Sequence, residues 1–145
     1  MDVEMSAIYA ESFTDYPPAL MSLLTAAFTV DPATVVATVL VCDTGSGIPV
    51  GQAGLRTHGV GGALEVKKVI VDADHRGRGI SRTLMLELED MAREFGAPSL
   101  VLQTGDRQSA AIGLYESVGY RLILPYAPFE LMSNALCYEK VLMPA

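Results

Sequence analysis

Residues 69–96, VIVDADHRGRGISRTLMLELEDMAREFG, join the end of an apolar strand, a turn of glycine and arginine, and a long helical pattern. Gly77 and Gly79 allow backbone conformations and close approaches that a Cβ would block. Where a helix begins, such a turn presents unpaired N–H groups beside the positive end of the helix dipole. The stretch therefore predicts an anion site, usually for phosphate, to which Arg76 and Arg78 can add charge-assisted hydrogen bonds.

Two other phosphate-binding patterns do not fit this turn. The chain has no G-x-x-x-x-G-K-[ST] segment, which excludes a P-loop. The third glycine position of G-x-G-x-x-G is occupied by Arg82, and the turn follows a strand meander instead of an opening βαβ unit, which argues against a nicotinamide-binding domain. On the turn alone, a tight connection with solvated arginines stays open as the alternative to an anion site.

The rest of the chain predicts an α/β fold, a mixed sheet with helices packed on it, and residues 1–145 are expected to form one domain. The expected helices cover residues 17–28, 79–96 and 111–119, and the expected strands cover 34–43, 49–58, 63–72, 99–104, 120–124 and 135–142. Short turns between the first three strands predict an antiparallel meander. In the helix over 79–96 the expected core stripe is Ile80, Leu84, Leu88, Met91 and Phe95, with Glu89 on the polar face.

The composition of the chain limits the kinds of ligand and macromolecule that we expect it to bind. Half of the residues (50%) are hydrophobic and the formal net charge is −7, so no broad basic face is expected to bind nucleic acid. Cys42 and Cys137 match neither a metal-ligand spacing nor a disulfide framework, and His58 and His75 add too few ligands for zinc. No signal-peptide pattern or bilayer-spanning tract is present. The sequence therefore predicts a cytoplasmic protein without metal, nucleic-acid or membrane partners, and it leaves a homodimer open.

The glycine turn resembles the acetyl-CoA signature of the GNAT superfamily of N-acetyltransferases, [Q/R]-x-x-G-x-[G/A]. Arg76 and Gly79 match the first two fixed positions, whereas Ser81 stands where glycine or alanine is expected. Upstream, ALEVKKVIV resembles the strand before the loop in that family. Downstream, AAIGLYESVGY resembles the helix pattern A-x-x-x-Y-x-x-x-G-[F/Y], and CYEKVL resembles the last strand. The resemblance covers residues 50–142, and residues 1–34 fit it only loosely.

The resemblance implies a GNAT-like acyl-CoA N-acyltransferase fold: a mostly antiparallel sheet with a central parallel pair and flanking helices. It implies acetyl-CoA as co-substrate, without a metal, and direct attack by a primary amine of a small molecule or a protein on the thioester. The implied cofactor-binding residues are Val69, Ile70, Val71, Arg76, Gly77, Arg78, Gly79, Ile80, Ser81, Gln108 and Tyr115. Gln103 stands where similar sequences often carry an acid.

Two residues are candidates for the chemistry. Tyr115 matches the family tyrosine that can protonate the leaving thiolate, although a tyrosine at helical spacing from Ala111 is ordinarily a core residue. An alkyl ammonium with a pKa near ~10 must lose its proton before it attacks, and Glu65, eleven residues before Arg76, is the candidate base. The alternative for Glu65 is a carboxylate that is solvated or paired with Lys67 or Lys68. His58 and His75 are expected to be solvated loop residues.

Two further functions stay open at this point. A GNAT-like module could bind acyl-CoA and signal to a partner without turnover, and a scaffold could have no use for CoA. The presence of both Glu65 and Tyr115 favours the enzyme, and the intact loop argues against the scaffold. The identity of the acceptor is not encoded in any motif that the sequence shows.

Overall fold

The computed structural model describes residues 16–59 and 61–143 of the chain. Within them the helices and strands follow one another in the predicted order. The helices are α1 (Pro18–Phe28), α2 (Ile80–Glu94) and α3 (Ser109–Ser117). The strands are β1 (Val35–Cys42), β2 (Pro49–Thr57), β3 (Leu64–Val71), β4 (Ser99–Gly105), β5 (Arg121–Ile123) and β6 (Ala135–Val141). No helix in this part of the chain combines the length and the apolar character that crossing a membrane requires.

The strands form one mixed sheet in the order β1-β2-β3-β4-β6-β5. Strands β1, β2 and β3 are the predicted antiparallel meander, and β4, β6 and β5 form a second antiparallel group. The two groups are joined by the parallel pair β3–β4, whose register contains only Leu64 with Leu100 and Glu65 with Val101. The predicted fold class is confirmed. Beyond these two residue pairs β3 and β4 diverge, which leaves one edge of β3 without a strand partner.

A β-bulge interrupts β3 at Lys68. Gln52 pairs with Ile70 and Gly54 with Lys67, so β3 contributes one residue more than β2 between these pairs. Lys68 has a φ of 57°, in the left-handed region that non-glycine residues seldom occupy. The bulge also reverses which side chains share a face, because alternation is broken at the extra residue.

This reversal corrects one expectation from the sequence. Glu65 and Lys67 were expected to share a face with Val69 and Val71. In the structure, Val69 and Val71 instead pack in the same hydrophobic core as Leu64. A simple period of two could not reveal the bulge, because Lys68 carries no glycine or proline signal.

The sheet separates two apolar clusters. The larger one lies under α2 and α3, and the smaller one joins α1 to the segment around Phe129. Neighbouring residues of β6 show the division, since Cys137 belongs to the smaller cluster and Tyr138 to the larger one. Both cysteines are free thiols, Cys42 exposed and Cys137 buried.

The buried face of α2 differs from the expected stripe. Phe95 lies just beyond the last helical residue and is 57% exposed, whereas Glu89 is 1% exposed. The buried residues of this helix are Leu84, Met85, Leu88, Glu89 and Ala92. Glu89 is tolerated inside because Lys140 of β6 forms an ion pair with its carboxylate.

Candidate active site

The divergence of β3 and β4 opens a gap that the sheet does not fill. Its walls come from both strands, from the end of α1 and from the start of α3. The lining residues are Phe28, Val66, Lys67, Lys68, Val69, Ile70, Leu102, Gln103, Thr104, Gln108 and Tyr115. Because no β4 partner faces residues 66–71, backbone groups along this edge of β3 are available to a ligand that carries amides. Of the three residues expected to face a pantetheine arm, Val69 and Ile70 line this gap, whereas the Val71 side chain is buried in the core.

The predicted glycine turn lies between β3 and α2. Gly77 and Gly79 have φ values of 78° and 79°, so both use the left-handed freedom that the sequence analysis assigned to them. Gly79 precedes Ile80 as the N-cap residue of α2, and no side chain among residues 16–59 and 61–143 caps this end of the helix. The first N–H groups of α2 therefore lie at an open helix terminus, where an anion is stabilised by hydrogen bonds and by the dipole.

The arginines of the turn are placed differently from one another. The Arg76 side chain folds back, and its Nε donates to the Val71 carbonyl at 3.3 Å, which ties the turn to the end of β3. Arg78 is exposed at the surface. In the first turn of α2, Arg82 donates to Ser117 Oγ at 3.0 Å and so connects this helix to α3. Neither the contact of Arg76 with Val71 nor that of Arg82 with Ser117 was foreseen from the sequence.

Tyr115 reaches the gap from α3. The residue is only 8% exposed, and its ring packs against Tyr120 and Tyr138 with centroids 6.1 Å and 6.4 Å away. Burial raises the pKa of Tyr115 to about 12, so its hydroxyl holds its proton at neutral pH. Gln108 lines the same gap, immediately before α3. The structure thus brings both residues to the gap that Val69 and Ile70 border.

Glu65 is buried, with 3% of its side chain exposed, and both carboxylate oxygens are occupied. Arg56 Nε donates to Oε1 at 2.6 Å, and the Tyr126 hydroxyl donates to Oε2 at 2.6 Å. Lys67 Nζ is 3.6 Å from Oε2. The ion-paired alternative for Glu65 is therefore the one seen here, although its shortest ion pair is with Arg56 and not with either lysine.

The residues around Glu65 connect it to α1 and to the loop that carries Tyr126. Arg56 donates through Nη2 to the Ala27 carbonyl at 3.0 Å, at the C-terminal end of α1. Burial and the neighbouring Glu65 charge raise the pKa of Tyr126, which keeps its hydroxyl a donor. Sequence reasoning missed both partners, but the register of the β2–β3 hairpin carried a signal for one of them, since it pairs Arg56 directly with Glu65.

Neither histidine lies in the gap. His75 Nδ1 is 2.8 Å from Asp72 Oδ2 at the end of β3. The His58 ring packs edge-on against Tyr126, with centroids 4.5 Å apart, in the wall of a second pocket of about 440 Å³. Arg56 and Glu65 also line this second pocket. The histidines are thus less solvated than the sequence suggested, and both lie outside the gap.

Comparison with known proteins agrees with this geometry. An IAA acetyltransferase of Azospirillum brasilense is 36% identical over 97 residues, covering 67% of this chain and 63% of that protein. A structure from Klebsiella pneumoniae, assigned to the acyl-CoA N-acyltransferases, has a TM-score of 0.71 at 30% identity and covers 91% of this chain and 94% of that one. The PaiA N-acetyltransferase of Thermoplasma acidophilum, solved with coenzyme A, has a TM-score of 0.63 at 15% identity and covers 74% and 61%.

The fold is that of the acyl-CoA N-acyltransferase class. The model of the acetyltransferase (GNAT) family matches residues 3–120, well over half of the chain, so the protein belongs to the GNAT acetyltransferase family. The resemblance drawn from the sequence is confirmed. The chain spans less than two thirds of the length of the curated relatives it matches first.

Proposed function

We propose that the protein transfers an acetyl group from acetyl-CoA to a primary amine of a small molecule or a protein. The observation that carries this proposal is the combination of three features: an unpaired edge of β3 along the gap, a protonated Tyr115 in that gap, and the open N-terminus of α2 at Gly79, which follows β3 in the chain. Family membership supports the same chemistry.

The residues present fit acetyl-CoA in two places. The Arg76 N–H already donates to the Ala73 carbonyl at 3.4 Å, so the N–H groups from Gly77 to Ser81, at the positive end of α2, would hold its pyrophosphate. The backbone of Val69 and Ile70 would bond the amides of the pantetheine arm, in the manner of an added strand. An N–H of the same segment would then be a donor to the developing oxyanion.

Tyr115 supplies the proton of the reaction. When bound, acetyl-CoA provides a thioester whose C–S bond breaks as the C–N bond forms. The Tyr115 hydroxyl keeps its proton because burial raises its pKa to about 12, and we assign it to the departing thiolate.

We assign Glu65 a positioning role. The sequence-based hypothesis that it is the base stays a prediction, but Arg56 and Tyr126 already bond both oxygens, and removing a proton from an amine would disrupt that pairing. Through these partners Glu65 orients the end of α1 and the loop that carries Tyr126, the two segments that face the acceptor side. In this assignment the proton of the acceptor ammonium leaves to water.

Two measurements on the same protein test the function. Calorimetry with acetyl-CoA tests binding, and thiol release in the presence of a panel of primary amines tests transfer. Binding together with amine-dependent release is the expected result. Binding without release for every amine would favour a non-catalytic acyl-CoA-binding module, and absence of binding would refute the proposal.

A further inference from the structure

The gap between β3 and β4 has an unusual charge for this protein. The whole chain has a formal net charge of −7, yet the described residues that line the gap include two lysines, two glutamines and no carboxylate. Gln103 is one of these glutamines. The electrostatic environment of the gap is therefore positive inside an acidic protein, which favours a ligand that carries a negative charge.

Lys67 is one source of this positive charge. Its side chain is 12% exposed, and its Nζ lies 3.6 Å from Glu65 Oε2 and 5.1 Å from the centre of the Phe129 ring. Glu65 does not neutralise it fully, because the same carboxylate forms a closer ion pair with Arg56, at 2.6 Å. Two cations thus share one anion. Burial lowers the pKa of Lys67, and the nearby Glu65 carboxylate opposes this shift.

Lys68 is the second source, and the bulge determines its position. With a φ of 57°, its backbone occupies a left-handed conformation that is strained for a non-glycine residue. Conformations of this kind concentrate at binding and catalytic sites, where the surrounding structure maintains them. Here the bulge places Lys67 and Lys68 in succession along the same gap.

These lysines are too far along the strand to serve the phosphates of acetyl-CoA. The expected pyrophosphate site begins after β3 ends at Val71, and Lys67 precedes that end by four residues, or about 13 Å of strand. Tyr115, in contrast, lines the same gap as both lysines. The anion that they would bind therefore belongs to the acceptor, close to its reacting nitrogen.

We propose that the acceptor is an α-amino acid, whose carboxylate is bound by Lys67 and Lys68 while its amine attacks the thioester. This inference rests on the proposed function and specifies its substrate class. A carboxylate on the neighbouring carbon satisfies both requirements of the gap, a negative charge and a short distance to the nitrogen. A simple alkylamine offers no anion, and its ammonium would be repelled by the two lysines.

Matched acceptors provide the test. Leucine and phenylalanine are each compared with their amides and with the corresponding decarboxylated amines, and thiol release is recorded together with the mass of the acetylated product. We expect kcat/KM to favour the acids by roughly 10- to 100-fold, the effect of hydrogen bonds to a charged group. The preference should appear mainly in KM, because the carboxylate is bound before and during the reaction.

Three variants assign the preference to the lysines. Lys67→Gln and Lys68→Gln should each reduce the ratio of acid to amide in kcat/KM about tenfold. Arg121→Gln removes one exposed positive charge from β5, outside the gap, and should leave the ratio unchanged. Lys68 is on the surface, so its variant gives a result even where Lys67→Gln folds poorly.

The outcomes separate this inference from the proposed function. Turnover of amines and amides as efficiently as acids overturns the inference and leaves the acetyltransferase intact. A preference for acids that survives in both lysine variants also overturns it. Binding of acetyl-CoA without turnover of any amine overturns the proposed function itself.

Discussion

Glu65 Oε1 lies 2.6 Å from Arg56 Nε, and the guanidinium of Arg56 continues to the Ala27 carbonyl at the end of α1. One carboxylate thereby links β3, β2 and the first described helix. Replacing it changes both the charge of a buried pair and the position of α1, and these two effects can be measured separately.

The first prediction concerns Glu65→Ala and Glu65→Gln. Glu65→Ala leaves the buried Arg56 cation without its carboxylate partner. It should lower the free energy of unfolding, measured by chemical denaturation, by about 3–5 kcal/mol. Glu65→Gln keeps the shape and should cost less. In the positioning role, the rate deficit of Glu65→Gln is the same at every pH. A deficit that is steep near neutral pH and shrinks toward the pKa of the acceptor would identify Glu65 as the base instead.

The second prediction concerns the glycine turn. Gly79→Glu should abolish acetyl-CoA binding in calorimetry, because it adds bulk and negative charge at the helix terminus that we assign to the pyrophosphate. Gly96→Glu is the matched control, since Gly96 also has a left-handed φ, 75°, and open space for a side chain. Both variants should lose similar stability. Unchanged affinity in Gly79→Glu would refute the site.

The third prediction compares two buried tyrosines. Tyr115→Phe should lower kcat by ~10²–10⁴-fold with little change in acetyl-CoA affinity, the loss expected for a general acid. Tyr120→Phe removes the hydroxyl of the neighbouring ring, which lines no part of the gap. Within the described residues that hydroxyl has no hydrogen-bond partner, so its loss should leave kcat unchanged and raise stability slightly. Equal rates in the two variants would show that another group protonates the thiolate.

The fourth prediction follows from the raised pKa of Tyr115. A tyrosine whose pKa is about 12 when folded and about 10 when unfolded stabilises the fold below pH 10, and this contribution is lost as pH rises through 12. The free energy of unfolding should fall over that interval, by up to about 2–3 kcal/mol from this residue. Tyr115→Phe should flatten the decline in denaturation curves measured between pH 9 and 12. An identical slope in both proteins would contradict it.

The fifth prediction concerns the ion pair between Glu89 and Lys140. Lys140→Met leaves a carboxylate that is 1% exposed without its cation, and the free energy of unfolding should fall by about 3–5 kcal/mol. Adding Glu89→Leu to this variant should restore most of the loss, because a well-packed apolar pair can replace a buried ionic one. If the double variant is no more stable than the single one, the pair is not the cause.

Most of the fold could be predicted from local sequence patterns. Strand and helix order, the meander and the left-handed glycines of the turn follow from period, turn chemistry and short connections, which are properties of neighbouring residues. The reversal of side-chain faces at Lys68 could not be predicted from local patterns, because a bulge depends on how two strands pair. Glu89 was placed on the wrong face for a similar reason: Lys140, which makes its burial tolerable, is on another strand.

The same distinction applies to the candidate site: residues in local motifs could be predicted, and contacts between distant segments could not. Tyr115, Gln108 and the turn after β3 could be predicted as candidates because they lie in or beside contiguous motifs, and the structure places Tyr115 and Gln108 in the gap. Tyr126 was not found, because it reaches Glu65 from a loop 61 residues further along the chain. A contact of that range has no local signature, and only the folded chain shows that the hydrogen-bonding capacity of Glu65 is already in use.

The two residue pairs between β3 and β4 make the sheet a pair of three-stranded halves with a narrow join. A ligand that forms hydrogen bonds to the free edge of β3 would add contacts where these halves meet. At a hundred times its dissociation constant, such a ligand adds about 2.7 kcal/mol to the folded state. If acetyl-CoA is that ligand, the free energy of unfolding should rise with its concentration.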